Sequence, residues 1–212
     1  MKTKLNILVS LSLCLTASAF ANLVDMTFNS AGPLSQGGVY VGPYNLTVAN
    51  QYLKLVCNDF TDEISAGQSW TANVHTFNDL SQTKYAADGA QAYDQAGWLY
   101  EQGLLNPSQW GDIHNALWAV FNPTATEASG GWTAGAATWL ASAEQQTFTA
   151  NEFNGLSIYT PTQLSGSGAP QEFFGGAPTV AAVPEPGIGI LLGLGLLGVV
   201  VARRYQHRSV VS

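Results

Sequence analysis

The stretch YNLTVANQYLKLV, residues 44–56, predicts two short β-strands joined by a turn. The first strand covers Tyr44–Val48 and the second covers Tyr52–Val56, with Ala49-Asn50 as the turn between them. The surrounding residues 23–56 alternate and are often interrupted, which is typical of short strands that bury one face. The first part of the folded body is therefore predicted to be β-structure.

Helices follow these strands, and a strand returns after the helices. Thr71–Phe77 reads as a further strand before the pattern changes. Tyr85–Leu105 is rich in Ala, Gln and Leu, and residues 110–121 place apolar side chains three and four positions apart, as helices do. Gly130–Glu144 predicts another short helix, and Phe148–Thr160 predicts a strand. This order predicts an α+β fold in which a β-rich scaffold, sandwich or barrel-like, carries an inserted helical subdomain.

Residues 1–21 have the pattern of a secretory signal peptide. Two lysines precede the apolar run Leu5–Leu15, and small residues near its end offer a site for signal peptidase, with cleavage expected after Ala21. Cys14 offers a lipoprotein signal as the alternative, but Leu13 before it is larger than the small residue that lipidation requires. The sequence therefore predicts export.

A sorting segment is predicted over residues 183–212, with an apolar run at 187–202 and a basic end at 203–208. The motif residues are Pro184, Glu185, Pro186, Arg203 and Arg204. A membrane span usually needs about 20 apolar residues. The glycines of the run and the arginines after it nevertheless favour a transmembrane helix whose basic end lies in the cytoplasm.

This order of Pro-Glu-Pro, glycine-rich apolar helix and arginine pair resembles the PEP-CTERM sorting signal, over residues 183 to about 208. The resemblance implies a Gram-negative host that makes an exopolysaccharide, and an exosortase that recognises the segment and acts near the Pro-Glu-Pro. The alternative is a simple membrane anchor that no enzyme cleaves. We therefore expect a protein anchored in the inner membrane with its body outside, which then reaches the cell surface or the extracellular matrix.

Between the two ends we expect one extracytoplasmic domain, residues 22–161, and a flexible Gly/Ser/Pro-rich linker, residues 162–182. From Asn22 to Val183 the chain has two lysines against thirteen acidic residues, a net charge of −11. Nucleic acid is therefore excluded as a partner, because almost nothing can neutralise phosphate. Charge alone leaves open whether the acidic surface binds divalent cations or keeps the protein soluble in a polysaccharide matrix. An exopolysaccharide is a candidate partner, and no cofactor is predicted.

Two short segments are candidates for chemistry: LVCNDF, residues 55–60, and IHNALW, residues 113–118. Together they resemble the thioester domains of bacterial surface adhesins, in which a cysteine after a hydrophobic residue is joined to a glutamine on a helix. A β scaffold with a helical insertion between the two residues is part of the same resemblance. It implies a bond from Cys57 to position 114, but His114 stands there and has no carboxamide from which ammonia can leave.

Three interpretations of this pair stay open. Cys57 ends an apolar strand and His114 lies on an apolar helical stripe, so the first is a core cysteine and a hydrogen-bonded histidine. In the second, a nearby imidazole lowers the pKa of the thiol and Cys57 acts as a nucleophile. In the third, a thioester forms with another glutamine such as Gln109.

Asp59, Asp62 and Glu63 cluster around Phe60 and are weak candidates for a calcium site. Their spacing lacks the order of a calcium-binding loop, and a solvated turn is the simpler interpretation. Tryptophans could stack on sugars, but several fall at helical core spacing, which favours packing. They are Trp70, Trp98, Trp110, Trp118, Trp132 and Trp139.

The sequence thus predicts an exported cell-envelope or biofilm-matrix protein with a structural or adhesive role and no enzymatic activity. The alternative is a thiol-dependent enzyme or a thioester-type covalent adhesin that uses Cys57.

Overall fold

Eight strands and four α-helices make up residues 22–177, the part of the chain that the computed structural model describes. The strands are β1 (Asn22–Ser30), β2 (Ser35–Gln36), β3 (Val39–Tyr40), β4 (Tyr44–Val48), β5 (Gln51–Cys57), β6 (Ser69–Thr76), β7 (Leu156–Pro161) and β8 (Phe173–Gly176). The helices are α1 (Gly89–Leu105), α2 (Trp110–Phe121), α3 (Pro123–Glu127) and α4 (Ala134–Glu144). Two 3-10 turns, Ala86–Asp88 and Pro107–Gln109, precede α1 and α2.

Six of the strands close into an antiparallel barrel in the order β1, β4, β5, β8, β7, β6. Its β4–β5 hairpin matches the two strands predicted first, with Val48 paired to Gln51 beside the turn. Ala49 and Asn50 both have positive φ, at 47° and 66°, as the favoured two-residue hairpin turn requires. The predicted β-rich scaffold with helices is confirmed, and it is a barrel rather than a sandwich.

One wall of the barrel is buried on both faces. On β5, Leu55 and Cys57 belong to the cluster inside the barrel, whereas Val56 packs in the cluster beneath the helices. On β8, Phe173 lies inside and Phe174 lies under the helices. Successive residues of a strand point to opposite faces, so the helices cover the outside of this wall.

The helical subdomain is inserted between β6 and β7, and α2 packs against both α1 and α4. Ile113 and Leu117 of α2 join the cluster between helices and barrel, whereas Trp118 joins the cluster inside the barrel. Thr133 caps α4, because its hydroxyl accepts a hydrogen bond from the Ala136 N–H at 3.0 Å. The central helix α2 therefore connects the two parts of the core.

The predicted linker, residues 162–182, is wrong where β8 lies. Phe173–Gly176 pairs with both β5 and β7 and closes the barrel, so the folded domain extends beyond residue 161. Phe173 and Phe174 are fully buried, and burying such a ring stabilises a fold by roughly 1.5–3 kcal/mol. This burial outweighs the Gly, Ser and Pro content that indicated a flexible spacer.

The predicted signal peptide, residues 1–21, lies outside the described residues, and so do the predicted transmembrane helix at 187–202 and the basic end at 203–208. Within residues 22–177, no helix combines the length and the apolar character that crossing a membrane needs.

Candidate functional site

The structure brings Cys57 and His114 together where the end of β5 meets α2. Both residues are fully buried. The His114 Nε2 lies 2.8 Å from the carbonyl oxygen of Cys57, and its ring stacks on Trp118, one turn later, with 3.9 Å between the ring centroids. The Trp118 indole N–H donates to the Cys57 Sγ at 3.2 Å. The helix thus presents a stacked histidine and tryptophan to the last residue of β5.

The hydrogen bonds of His114 determine its protonation state. Its Nδ1 accepts from the backbone N–H of Gly42 at 2.8 Å, so in the neutral ring the proton sits on Nε2, which donates to the Cys57 carbonyl. Complete burial lowers the pKa of His114 to about 4, although the hydrogen bond to Cys57 acts in the opposite direction. The imidazole is therefore neutral at physiological pH, and backbone groups engage both ring nitrogens.

The Cys57 thiol is held as a protonated core group. It donates to the backbone carbonyl of Asp59 at 3.2 Å and accepts from the Trp118 indole. Burial raises the pKa of Cys57 to about 12, and the indole hydrogen bond offsets this only in part. A nucleophilic cysteine needs a thiolate and access to its substrate, so this environment favours the interpretation of Cys57 as a core residue.

Gln109, the other glutamine considered for a thioester, is exposed where α2 begins. Its side-chain carbonyl accepts a hydrogen bond from the Trp139 indole N–H at 3.1 Å. Cys57, by contrast, is fully buried and its thiol is engaged with Asp59 and Trp118. The geometry therefore gives no support to a bond between Cys57 and Gln109.

Asp59 and Asp62, two of the candidate calcium ligands, bind the ammonium group of Lys84 instead. Lys84 Nζ forms salt bridges with both Asp59 and Asp62, and Asp59 also accepts from the Tyr85 hydroxyl at 3.0 Å. Burial opposes the charge of Asp59, but Lys84 and Tyr85 outweigh it and hold the pKa of Asp59 below its usual value. Glu63 is exposed. Among residues 22–177 no three acidic, histidine or cysteine side chains are grouped to hold a metal.

A second buried carboxylate, Glu172, lies in the segment predicted to be a linker and is fully buried. Its Oε1 accepts from Asn58 Nδ2 and from the Tyr93 hydroxyl, each at 2.7 Å. Its Oε2 accepts from the backbone N–H of Lys84 at 2.8 Å and from the Thr160 hydroxyl. Glu172 therefore joins β7, the segment after β5 and the start of the helical subdomain, a role that its sequence context did not indicate.

A cleft of about 740 Å³ opens beside the Cys57–His114 pair, between residues 31–41 and the loop of residues 60–66. Trp118, the hydrogen-bond donor to Cys57, forms part of its lining. Most of the lining is aromatic or aliphatic, with a few polar groups. The cleft is lined by Phe28, Ser30, Ala31, Gly32, Gly38, Val39, Tyr40, Tyr44, Phe60, Asp62, Glu63, Ile64, Ala66, Trp118 and Gln171.

Hydrogen bonds hold both walls of the cleft. On the first wall, Gln36 Nε2 donates to the carbonyl of Gly131 at 2.8 Å, which attaches the β2–β3 hairpin to the helical subdomain. On the second, Gln171 Nε2 donates to the carbonyls of Asp59 and Asp62, at 2.9 and 2.6 Å. The cleft is therefore preformed, as most small-molecule sites are.

The tryptophans divide between the core and partly covered positions. Trp110 and Trp118 are buried, whereas Trp70, Trp98, Trp132 and Trp139 are half-buried. Trp118 is the tryptophan that lines the cleft. It ends the candidate segment of residues 113–118, but nothing in the sequence indicated that it faces a cleft. Its place follows only from the way α2 meets the end of the barrel.

Comparison with known protein families matches residues 182–204 to the PEP-CTERM protein-sorting motif. Comparisons with characterised proteins and with solved structures give no match. The matched segment contains all five predicted motif residues, from Pro184 to Arg204. The chain therefore carries a PEP-CTERM sorting motif, which marks it as an exported, membrane-anchored protein that an exosortase processes for the surface.

Proposed function

We propose that this chain is a non-enzymatic component of the cell envelope or biofilm matrix, with a structural or adhesive role. In this proposal the tail anchors the protein in the inner membrane with its barrel outside. An exosortase then acts near Pro184–Pro186 and passes the barrel to the surface or matrix. The observation that carries the proposal is the sorting motif at residues 182–204 on a chain whose folded body is strongly acidic.

The environment of Cys57 supports a role without thiol chemistry. The thiol is buried, and its pKa is raised to about 12. The neighbouring imidazole donates to a backbone carbonyl and accepts from a backbone N–H, so neither nitrogen is available to take the proton of the thiol. A His–Cys pair that activates a nucleophile needs the opposite arrangement, with the base directed at the thiol.

Sorting can be tested by deleting residues 184–212 and locating the protein by fractionation of producing cells. The deletion should release or mislocalise the protein, because it removes both the anchor and the site that the sorting enzyme recognises. An unchanged location would contradict the proposal.

A second variant separates a sorting signal from a simple anchor. Replacing Pro184, Glu185 and Pro186 together with alanine leaves the apolar run 187–202 in place. If an exosortase recognises the motif, this variant should stay in the membrane with its tail intact, as shown by mass spectrometry of its C-terminus. A simple anchor would show an intact C-terminus and the same location with and without the substitution.

The reactivity of Cys57 tests the absence of thiol chemistry. The native protein should react with a thiol reagent far more slowly than the unfolded protein, as shown by intact mass. Rapid reaction of the folded protein would instead support the alternative of a thiol-dependent enzyme. A native mass lower by one ammonia, with incorporation of methylamine, would indicate a thioester-type adhesin.

A further inference from the structure

We propose that the cleft between residues 31–41 and 60–66 binds an uncharged saccharide. This inference rests on the proposed function, because it names the kind of molecule that an adhesive matrix protein would hold. The cleft volume of about 740 Å³ falls within the roughly 300–1,000 Å³ that is usual for small-ligand sites.

The lining combines the two features that a sugar ring requires. A sugar ring has an apolar face of C–H groups and an edge of hydroxyls. Tyr40, with 60% of its surface exposed, and Phe60, half-buried, offer aromatic surface at the cleft. The carboxylate of Glu63 and the hydroxyl of Ser30 lie in the same lining and are exposed, so they can bond to sugar hydroxyls.

The charges of the cleft exclude an acidic occupant. Asp62 and Glu63 are the charged residues of the lining, and both are acidic. Lys84, which is not part of the lining, forms salt bridges with Asp59 and Asp62. An anionic sugar would therefore meet the carboxylates of Asp62 and Glu63 with no cation in the lining to bind it, whereas the hydroxyls of an uncharged sugar can donate to these carboxylates.

The walls are fixed before any ligand arrives, which lowers the entropy cost of binding. Asp59 Oδ1 accepts from the backbone N–H groups of Thr61 and Asp62, at 3.1 and 3.3 Å, and so shapes the start of the second wall. On the opposite wall the Tyr44 hydroxyl donates to the backbone carbonyl of Tyr40 at 2.8 Å. This bond positions the backbone of Tyr40, and the Tyr40 ring remains exposed at the edge of the cleft.

Isothermal titration calorimetry on the full-length mature chain in mild detergent tests the proposal. The probes are uncharged oligosaccharides of glucose, galactose, mannose and N-acetylglucosamine, together with an oligogalacturonate and an apolar fluorescent dye. At least one uncharged oligosaccharide should bind at concentrations up to a few millimolar, and the oligogalacturonate should not. Tyr40→Ala and Glu63→Gln should each weaken that binding at least about tenfold.

Matched variants elsewhere on the body provide the controls. Tyr52→Ala removes a tyrosine that is 84% exposed, and Glu144→Gln changes an exposed acid on α4; neither residue lines the cleft, and neither change should alter binding. The proposal is overturned if no uncharged oligosaccharide binds, if only the dye binds, if the oligogalacturonate binds equally well, or if the cleft variants bind as the controls do. A negative binding result leaves the localisation result of the tail variants unchanged, so the two proposals fail separately.

Discussion

The His114 imidazole links helix α2 to two segments that lie 72 and 57 positions earlier in the sequence. It accepts from Gly42, donates to Cys57 and stacks on Trp118. The first contact needs an acceptor, the second a donor and the third a flat ring. A neutral histidine provides all three. His114 stands where the thioester resemblance implies a glutamine. Here it connects the turn between β3 and β4, the end of β5 and helix α2.

Burial of His114 should make the stability of the folded protein decrease in moderate acid. The folded-state pKa of His114, about 4, lies below its ordinary value of 6.5, so between these values the unfolded chain binds a proton that the native chain does not. The free energy of unfolding should therefore fall as the pH drops from about 6.5 to 4, by about 3 kcal/mol in total.

Urea denaturation at several pH values, together with an NMR titration of the imidazole, checks this prediction. His75→Gln is the control, because His75 is only half-buried and its removal should leave most of the slope in place. If His114 titrates near its ordinary value in the native protein, the prediction is wrong.

Glu172 is the second residue whose removal should be costly. Glu172→Gln places an NH₂ group among four donors and removes the charge that they stabilise. We expect a loss of roughly 3 kcal/mol in the free energy of unfolding, since buried donors are left without an acceptor. Glu144→Gln, an exposed change of the same kind, should have almost no effect in the same denaturation experiment; similar losses for both would contradict the network.

The β2–β3 hairpin is the element that forms the first wall of the cleft, and its tip touches the helical subdomain backbone to backbone. Gly37 has a φ of 63°, and a Cβ built on it would lie 2.1 Å from the backbone nitrogen of Gly131. The neighbouring Gly38 has a φ of 86° but has nothing within 4 Å of such a Cβ. Both glycines therefore have a left-handed backbone conformation, but only Gly38 has room for an added Cβ atom.

This difference predicts unequal effects of alanine at the two positions. Gly38→Ala should cost about 1–2 kcal/mol, the usual penalty for a left-handed alanine. Gly37→Ala should cost clearly more, because the hairpin must also move away from Gly131. Thermal and chemical denaturation of the two variants measures this, and an equal loss would show that the hairpin tip is not pressed against the helical subdomain.

The elements differ in how far the sequence alone could predict them. The β4–β5 hairpin and helix α2 were predictable, because their turn residues and apolar spacing are local signals. β8 was not, because its four residues include two glycines and are flanked by a stretch rich in Gly, Ser and Pro. What makes it a strand is its pairing with β5 and β7, and no local pattern shows that pairing.

The same limit applies to the candidate site. The proximity of Cys57 and His114 was predictable from two apolar segments that both face inward. The direction of the His114 hydrogen bonds was not predictable. It depends on the N–H of Gly42, which lies in the turn between β3 and β4. The cleft could not be predicted either, because its walls are brought together only when the barrel closes.

At the scale of the whole molecule, the barrel and the helical subdomain share one wall, formed by β5, β8 and β7. Its inward side chains fill the barrel, and its outward side chains support α1 and α2. The helices therefore stabilise the strands that close the barrel, and the barrel in turn provides the surface on which the helices pack. Neither part has a complete core of its own.

This shared wall predicts where the body can be shortened. A chain that ends after Ala177 should fold, whereas one that ends after Gly168 should not, because it lacks Glu172 and the two buried rings of Phe173 and Phe174. Circular dichroism with thermal melting of both truncated chains, each starting at Asn22, tests this. A cooperative transition in the shorter chain would show that β8 is dispensable.

The position of β8 also affects when the protein can fold. Export delivers a chain progressively from its N-terminus, and folding generally follows that order. β8 pairs with two strands that precede it, and β5 lies on the far side of the whole helical insertion. The barrel must therefore stay open, with unpaired edges on β5 and β7, until nearly all of the body has crossed. On the proposed export route, folding would therefore finish only near the end of translocation, because the last described strand ends at Gly176 and the sorting motif begins at residue 182.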